Sequence, residues 1–362
     1  MAKTENKTKI LGKDLEFYLG HFESCYAGYS MHEKIRERAA AGGVVSGILI
    51  YLLKTKEIDG ALVSKASIIN GELSYEVKIA KTEEEILECA SSVYFYIPVL
   101  SALNKVRAFN GKVAVVGLSC HLKTLTAILE KDNNLREKIK YKIGLYCGGT
   151  TKRALLERVL RDKGIKIEDI KTIFVKRGHF KGELNITFKN DEVKTVPFYH
   201  FNVYRILGFF RKEICKFCSD LTAEYANISV GDIFIPEFEK EPIKHSSIIC
   251  RNSVACQLIE KMEKEGHLHL VQISPEKVFK SQRKVLIYRK NMSARSLAGR
   301  LLGYKIKAEY ASKVRWNDFL AAFIVLLNER VSENPVANKF IFKIPKFVLF
   351  VYAGIQRFLT RF

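Results

Sequence analysis

The sequence has little cysteine for its length and lacks the long apolar runs of a membrane protein. Eight cysteines among 362 residues are too few for a fold that disulfides hold together. No apolar stretch reaches the roughly 18–20 residues that a membrane-spanning helix needs. The N-terminal stretch "MAKTENKTKILGKDLEFYLG" has charge but no apolar h-region, so we see no secretory signal and expect a cytoplasmic, reducing setting.

Acidic residues are scarce relative to basic ones. The net charge is +21, and residues 281–362 contain 16 Lys and Arg against 4 Asp and Glu. The same segment contains the apolar blocks "FLAAFIVLL" and "FVLFVYAGI", which favour a membrane surface or a protein partner over nucleic acid. A peripheral, amphipathic attachment to a membrane is one interpretation of this segment. Packing of the apolar blocks against the core or in a dimer is the other.

Two segments share a pattern that is typical of a parallel α/β sheet. The stretches "GKVAVVGLSC" and "YKIGLYCGG" are apolar strands that lead to Cys120 and Cys147, and each is followed by a helical pattern. Such strands are buried on both faces of a sheet, and their carboxyl ends line a ligand crevice. Farther along, "ELNITFKNDEVKTVPF" predicts a β-hairpin. We therefore expect an α/β (α+β) fold with a mixed sheet and flanking helices, a smaller α+β segment that carries a C-x-x-C, and a helical, basic C-terminal extension.

The C-x-x-C motif is formed by Cys215 and Cys218. In a reducing setting this motif favours a metal or redox role over a structural bridge. Together with Cys120 and Cys147 it would supply the four thiolates that a [4Fe–4S] cluster or an all-cysteine zinc site needs. Spacing alone leaves both open, beside the simpler interpretation of buried free cysteines and an isolated C-x-x-C. Core packing is favoured for three of the other cysteines, and the fourth is a lone loop cysteine: Cys89, Cys250 and Cys256, and Cys25.

The glycine stretch "AAAGGVVSG" precedes an apolar helix that is expected to end near Lys54. Gly42 and Gly43 could present backbone N–H groups to a phosphate at the start of that helix. The stretch lacks the dinucleotide fingerprint G-x-G-x-x-G and does not follow a clear strand. A turn or a close packing point is therefore the alternative interpretation.

Five stretches, in this order, resemble the beta subunit of coenzyme F420-reducing hydrogenase and formate dehydrogenase: "CYAGYSMHEKIRERAAAGGVVSGILIYLL", "VYFYIPVLSAL", "KVAVVGLSCHLKTL", "KIGLYCGG" and "CKFCSDLTAEYANISVGDIF". The resemblance covers roughly residues 25–275. With it, the chain divides into a polar lead-in, an N-terminal family domain, a C-terminal family domain with the cluster cysteines, and a basic amphipathic extension: residues 1–24, 25–105, 106–280 and 281–362.

The resemblance implies FAD, a [4Fe–4S] cluster and coenzyme F420 as a candidate substrate. The family's cluster ligands fall on the four cysteines already grouped: Cys120, Cys147, Cys215 and Cys218. Its flavin-contacting segment falls on the glycine stretch and on the next family-like stretch, and the predicted contacts are Gly42, Gly43, Ser46, Tyr94 and Pro98. The chain departs from the hydrogenase subunits at Ser119, where they have proline.

The resemblance therefore predicts an iron–sulfur flavoprotein oxidoreductase. Hydride would pass between FAD and an organic substrate such as F420, and electrons would pass through the cluster to a redox partner protein or a small carrier. The flavin carries the reacting atom, so no catalytic side chain is assigned. One alternative is a non-catalytic or differently specialised member in a polysaccharide (pyruvyl-transfer) pathway, peripheral to the membrane. The other is a binding protein that a four-cysteine zinc site stabilises.

Overall fold

A computed structural model describes residues 9–177 and 182–360. Residues 1–8 of the predicted lead-in and residues 361–362 of the extension lie outside the described residues. The described residues form eleven strands: β1 (Ser24–Ser30), β2 (Gly60–Ile69), β3 (Glu72–Ala80), β4 (Val113–Leu118), β5 (Ile139–Leu145), β6 (Ile170–Arg177), β7 (Glu183–Phe188), β8 (Val193–Pro197), β9 (Ile228–Asp232), β10 (Ser246–Cys250) and β11 (Leu268–Gln272).

The same residues form sixteen helices: α1 (Leu15–Leu19), α2 (Glu33–Arg38), α3 (Val44–Lys54), α4 (Glu83–Glu88), α5 (Leu103–Ala108), α6 (Ser119–Leu129), α7 (Asn133–Lys138), α8 (Arg153–Asp162), α9 (Tyr199–Leu207), α10 (Pro236–Glu239), α11 (Ser253–Lys264), α12 (Pro275–Lys290), α13 (Met292–Leu301), α14 (Trp316–Glu333), α15 (Asn338–Ile341) and α16 (Lys346–Leu359). Short 3₁₀ turns occur at Val99–Ala102, Ile167–Asp169 and Glu213–Lys216.

The central sheet has eight strands in the order β11-β1-β10-β9-β5-β4-β2-β3. Strands β2, β4, β5 and β9 are parallel to their neighbours in the middle of the sheet, whereas the strands at both edges pair antiparallel. The predicted mixed sheet is therefore confirmed. The predicted order of strand, cysteine and helix is also found, because β4 runs into α6 and β5 is followed by α8.

Helices cover both faces of this sheet, which explains why its central strands are continuously apolar. In β4 the side chains of Val113 and Val115 pack in one buried cluster, and that of Ala114 packs in another on the opposite face. Successive side chains of a strand point to opposite faces, so a strand between two helical layers needs apolar residues at every position.

A second, three-stranded sheet has the order β6-β7-β8 and is antiparallel. Its β7–β8 pair is the hairpin predicted around "KND". Asp191 in that turn has a φ of 64°, a conformation that Asp and Asn adopt more readily than most residues. After α9, the chain enters the 3₁₀ turn that carries Cys215.

The predicted C-terminal helical extension is present, and much of it packs against the rest of the chain. Its first helix, α12, lies beside α1 and β1, and its third, α14, contacts α13 and α16. Met292, Ala298 and Leu326 are buried in a cluster that α13 and α14 share. Within the described residues, no helix is long and apolar enough to cross a membrane.

Candidate cofactor site

Cys120 and Cys147 follow the carboxyl ends of two neighbouring parallel strands. The last residues of β4 and β5, Leu118 and Leu145, pair directly. Cys120 lies in the first turn of α6, and the backbone N–H of Cys147 donates to the carbonyl of Leu221 at 2.8 Å. Because neighbouring parallel strands end at the same edge of the sheet, the two thiols lie at that edge.

The C-x-x-C loop lies against the same end of the sheet. The Sγ atom of Cys215 is 3.5 Å from the backbone nitrogen of Thr150, which donates to it, and 3.6 Å from the Thr150 hydroxyl. Thr150 follows Cys147 by three residues in the chain, so this contact connects the two cysteine segments. The Sγ atom of Cys218 is 3.3 Å from the carbonyl oxygen of Asp220.

The four thiols are close enough to influence one another electrostatically. Burial is the main cause that raises the pKa of Cys120 to about 12, and Cys147, Cys218 and Cys215 contribute to the same shift. Burial likewise raises the pKa of Cys147 to about 11, with Cys215 as the next cause, while Arg289 opposes the shift. The structure therefore brings the four cysteines together. If all four were deprotonated, the site would need positive charge beside them.

Two arginines that the sequence analysis did not select hold the cysteine loops. Arg289, at the end of α12, is 1% exposed and donates to the carbonyls of Cys215 at 2.9 Å, Cys218 at 3.1 Å and Cys147 at 3.4 Å. Arg295 in α13 is fully buried and donates to the carbonyls of Lys216 at 2.8 Å and Cys218 at 3.0 Å.

Opposing effects act on the charge of Arg289. Burial disfavours its charged form, but the Cys218, Cys215 and Cys147 thiolates more than offset that cost and raise its pKa. A guanidinium presents five donors in a fixed fork, which explains how one side chain reaches three loop carbonyls. The only sequence signal for these residues was their position in a basic segment, and such a segment is ordinarily solvated.

Among residues 9–177 and 182–360, no three His, Cys, Asp or Glu side chains are arranged to hold a single metal ion, although the thiols interact electrostatically. Interacting thiols that do not converge on one point suit a metal cluster, which is larger than a single ion. A zinc ion requires all its sulfurs at about 2.3 Å, whereas a cubic cluster binds one thiolate at each of four irons and so separates them.

A cavity of about 560 Å³ adjoins the cysteine site. Cys147 lines it, and so do Gly43, Ser46 and Tyr94 from the predicted flavin segments. This volume lies within the range of sites that bind small molecules or cofactors. Cys147 therefore belongs both to the cavity wall and to the group of four cysteines.

Gly42 and Pro98 do not line the cavity, in contrast to the other three predicted contacts. Gly42 lies behind it, where its N–H donates to Ser246 Oγ at 3.1 Å. A Cβ at Gly42 would lie 2.8 Å from the carbonyl oxygen of Gly28, so close backbone packing requires glycine there. Pro98 precedes the 3₁₀ turn Val99–Ala102, and its neighbours Ile97 and Val99 reach the cavity instead.

Tyr94 is held in an uncommon backbone conformation, with a φ of 66°. Its carbonyl accepts from the backbone nitrogen of Thr151 at 3.0 Å, and its ring centroid lies 4.9 Å from that of Phe198. The guanidinium of Arg205 lies 4.9 Å from the Tyr94 ring centroid on the cavity side. A non-glycine residue with positive φ persists where its surroundings fix it, and such residues concentrate at ligand sites.

The cavity wall also carries Asp232, from the "VGDI" stretch, which was not among the predicted site residues. Its carboxylate is 2.8 Å from Lys176 Nζ and 3.8 Å from Lys244 Nζ. Burial opposes the charged carboxylate, but the two lysines more than offset this and lower the pKa of Asp232. Burial lowers the pKa of Lys244 to about 8, partly offset by Asp232.

His121 is a further cavity residue that the sequence analysis missed. Its Nδ1 accepts from the backbone nitrogen of Leu118 at 3.3 Å, which leaves the ring proton on Nε2, and that buried atom has no hydrogen-bond partner among the described residues. Burial lowers the pKa of His121 to about 4, so the imidazole is neutral at physiological pH. The ring therefore presents an N–H donor beside the cysteine loop.

Fold and site together define a class of α/β protein in which a group of four cysteines shares a wall with a cofactor-sized cavity. Two family models identify the class more closely. The N-terminal model of the coenzyme F420 hydrogenase/dehydrogenase beta subunit matches residues 25–104, and its C-terminal model matches residues 110–276. The chain belongs to this family of oxidoreductase subunits, and the resemblance drawn from the sequence is confirmed.

Individual relatives agree with this assignment. The chain is 30% identical over 258 residues to the coenzyme F420-dependent sulfite reductase of Methanocaldococcus jannaschii; the match covers 67% of this chain but only 38% of that protein. It is 26% identical to the coenzyme F420 hydrogenase subunit beta of Methanococcus voltae, with 71% of this chain and 87% of the relative covered.

A solved structure has the same fold. A chain of the F420-reducing [NiFe] hydrogenase complex from Methanosarcina barkeri superimposes with a TM-score of 0.61 at 22% identity. The alignment covers 81% of this chain and 98% of that one.

Proposed function

We propose that the protein is an oxidoreductase subunit that holds FAD in the cavity and a [4Fe–4S] cluster on Cys120, Cys147, Cys215 and Cys218. Bound there, the flavin would supply hydride chemistry and the cluster one-electron transfer. The observation that carries the proposal is the position of Cys147, which belongs both to the cavity wall and to the cysteine group. A residue shared by both sites makes them adjacent.

The chemistry of the donor set supports the cluster. Four cysteines are the usual ligands of a [4Fe–4S] cluster, and Arg289 places a buried positive charge beside three of them. Hydrogen bonds from Arg289 and Arg295 fix the carbonyls of the C-x-x-C loop, so the loop conformation does not depend on the thiols alone. Outer contacts of this kind orient ligands and tune a metal group.

The small residues of the cavity support the flavin. Gly43 has a φ of 77° and precedes the first turn of α3, with no side chain capping that turn. The start of α3 borders the cavity through Val44, Val45 and Ser46. Backbone N–H groups at a helix start favour a phosphate, and the absence of a side chain at Gly43 allows close approach.

The charge of the cavity supports a polyanionic ligand. Its lining includes Arg205, Arg211, Lys284 and Arg357, and among the lining residues that the structure describes the acidic ones are limited to Asp232. Two family relatives are named for coenzyme F420. We therefore propose a deazaflavin such as F420 as the organic hydride donor or acceptor, and a redox partner protein or a small carrier for the single electrons.

The chain's own residues have defined tasks in this proposal. Tyr94, with the Phe198 ring packed against it, contributes an aromatic side chain to the cavity wall. Arg205 and Arg211 contribute positive charge for a phosphate-bearing ligand, and His121 offers a neutral N–H donor. No side-chain acid or base is needed, because the reacting atom belongs to the flavin.

Anaerobic purification with an absorption spectrum and iron and sulfide assays tests the proposal. We expect flavin absorption, a broad shoulder that dithionite bleaches, and about four irons per chain. Cys147→Ser and Cys218→Ser should lose most of the iron, whereas Cys256→Ser, which changes a partly buried cysteine that lines neither the cavity nor the cysteine group, should keep it. A colourless protein that binds one zinc, or one that stays colourless after reconstitution with iron, sulfide and FAD, would contradict the proposal.

A further inference from the structure

The last helix, α16, is attached to the protein by one face and exposes the other. Leu349 and Ala353 are buried against the rest of the chain. On the outer side Phe347, Phe350 and Val351 are 69%, 47% and 61% exposed. Spacing of three and four residues places these side chains on one stripe of the helix, so the exposed apolar area is continuous.

Neighbouring elements extend this stripe. Val336 and Phe340, just before α16, are both more than half exposed. Trp316, at the start of α14, is 69% exposed, and the side-chain nitrogen of the next residue, Asn317, donates to the carbonyl of Leu359 at 2.8 Å. The exposed indole therefore lies near the end of α16. Exposed apolar patches of this extent mark interaction sites.

The segment that carries most of the patch is basic. Residues 334–360 contain Lys339, Lys343, Lys346 and Arg357 and no Asp or Glu. Lys346 is paired with Asp162 at 3.6 Å, while Lys339, Lys343 and Arg357 are exposed. The cations alternate in sequence with the apolar and aromatic side chains, which is the composition of a helix that lies in the plane of a lipid surface.

We propose that the outer surface of residues 336–358, referred to below as the α16 face, binds the surface of an anionic lipid bilayer, with its apolar side chains inserted at the level of the headgroups. Charge decides between a bilayer and a protein partner. Lysine is depleted in the centre of protein interfaces, whereas lysines next to exposed aromatic residues suit anionic headgroups. The helix has 14 residues, so it would lie on the bilayer and not cross it.

Attachment in this orientation would bring the cofactor cavity to the lipid–water interface. The opposite side of the same helix borders the cavity through Gln356. Insertion of the α16 face and access to the cavity thus involve two sides of one helix. The binding itself needs neither cofactor, so it stands or falls independently of the proposed redox function.

Vesicle flotation with the full chain tests this inference. One set of vesicles contains phosphatidylcholine with phosphatidylglycerol, and the other contains phosphatidylcholine alone. We expect the chain to float with the anionic vesicles and to be released by high salt, because screening weakens the attraction. Lys339→Glu with Lys343→Glu should weaken binding about 25-fold or more, at about fivefold for each lysine charge lost.

A second test replaces apolar side chains of the stripe. The variant with Phe347→Ser, Phe350→Ser and Val351→Ser should lose binding about tenfold or more, and because the three side chains are exposed its unfolding temperature should stay close to that of the unchanged chain. Val254→Ser and Lys264→Glu, on the exposed side of α11, are the matched controls and should bind normally.

Three results would overturn the inference. They are a chain that floats with neither vesicle, a chain that binds both vesicles equally, and a triple-serine variant that binds as well as the controls. Sedimentation of the same samples identifies a second copy as the occupant if the unchanged chain is a dimer and the triple variant a monomer, and that result would also overturn it.

Discussion

The contact between Arg289 and the cysteine loops predicts how much stability the protein loses when this arginine is replaced. In Arg289→Met the carbonyls of Cys215 and Cys218 lose donors at 2.9 and 3.1 Å, and that of Cys147 loses a longer bond at 3.4 Å. A buried acceptor left without a partner costs about 1–3 kcal/mol. The two short bonds alone therefore correspond to about 2–6 kcal/mol.

Removal of the buried charge returns part of this cost, because a guanidinium is expensive to desolvate. We expect the free energy of unfolding to fall by about 2–4 kcal/mol. Unfolding entropy of about 2.1 cal/mol/K per residue makes 1 kcal/mol equal to roughly 1.3 °C for a chain of this length. The unfolding temperature should thus fall by about 3–5 °C.

The assay combines thermal unfolding of the cofactor-free chain with iron content after anaerobic reconstitution. Arg289→Met should also retain less than about half of the iron, since its loops no longer hold the ligands in position. Arg300→Met in α13, where the side chain is exposed, is the matched control. If Arg289→Met and Arg300→Met have equal unfolding temperatures and equal iron, the assigned role of Arg289 is wrong.

Three further predictions concern packing, pH and the cavity. Gly42→Ala should destabilise the fold by about 1–3 kcal/mol, since its Cβ would meet two backbone oxygens within 3 Å. Gly354→Ala, whose Cβ would have nothing within 4 Å, should instead stabilise α16 by about 0.5–1 kcal/mol. Chemical denaturation of the two variants measures both changes. Burial raises the pKa of Glu329 to about 7, partly offset by Arg211 and Lys216. The contribution of the protonated carboxyl to stability is therefore complete below about pH 4.5 and is lost as pH rises through about 7. Glu329→Gln should make the unfolding temperature less dependent on pH between 5 and 8, and an unchanged profile would refute this. Lys176→Met and Asp232→Asn should show a coupling of about 1–3 kcal/mol in a double-mutant cycle, and additive effects would show that the 2.8 Å pair contributes nothing.

Several parts of the fold follow from local patterns. The apolar runs of β4 and β5 predicted a parallel sheet buried on both faces, because only apolar residues can point into both helical layers. That topology in turn placed Cys120 and Cys147 at one edge of the sheet. The grouping of these two with Cys215 and Cys218 was one of several interpretations that the spacing left open, and the family resemblance favoured it, since no local pattern connects a C-x-x-C to strands about 70–100 residues earlier.

The basic C-terminal segment shows the limit of composition. Its sequence predicted helices and positive charge, and composition alone suggests that all its arginines are exposed to solvent. In the structure Arg289 and Arg295 are buried against the cysteine loops, whereas Lys339 and Lys343 remain exposed. The difference arises from which residues meet loop carbonyls when α12 and α13 pack, and that is decided by tertiary contacts.

The sequence by itself determined the family, the mixed α/β architecture and the four cysteines that the strand ends and the C-x-x-C supply. Only the tertiary structure decided which residues surround them. Arg289 and Arg295 lie 71 and 77 residues after Cys218, and their burial and partners depend on how those segments meet. Periodicity along the chain records which side of an element faces the core, but it does not record which element lies opposite.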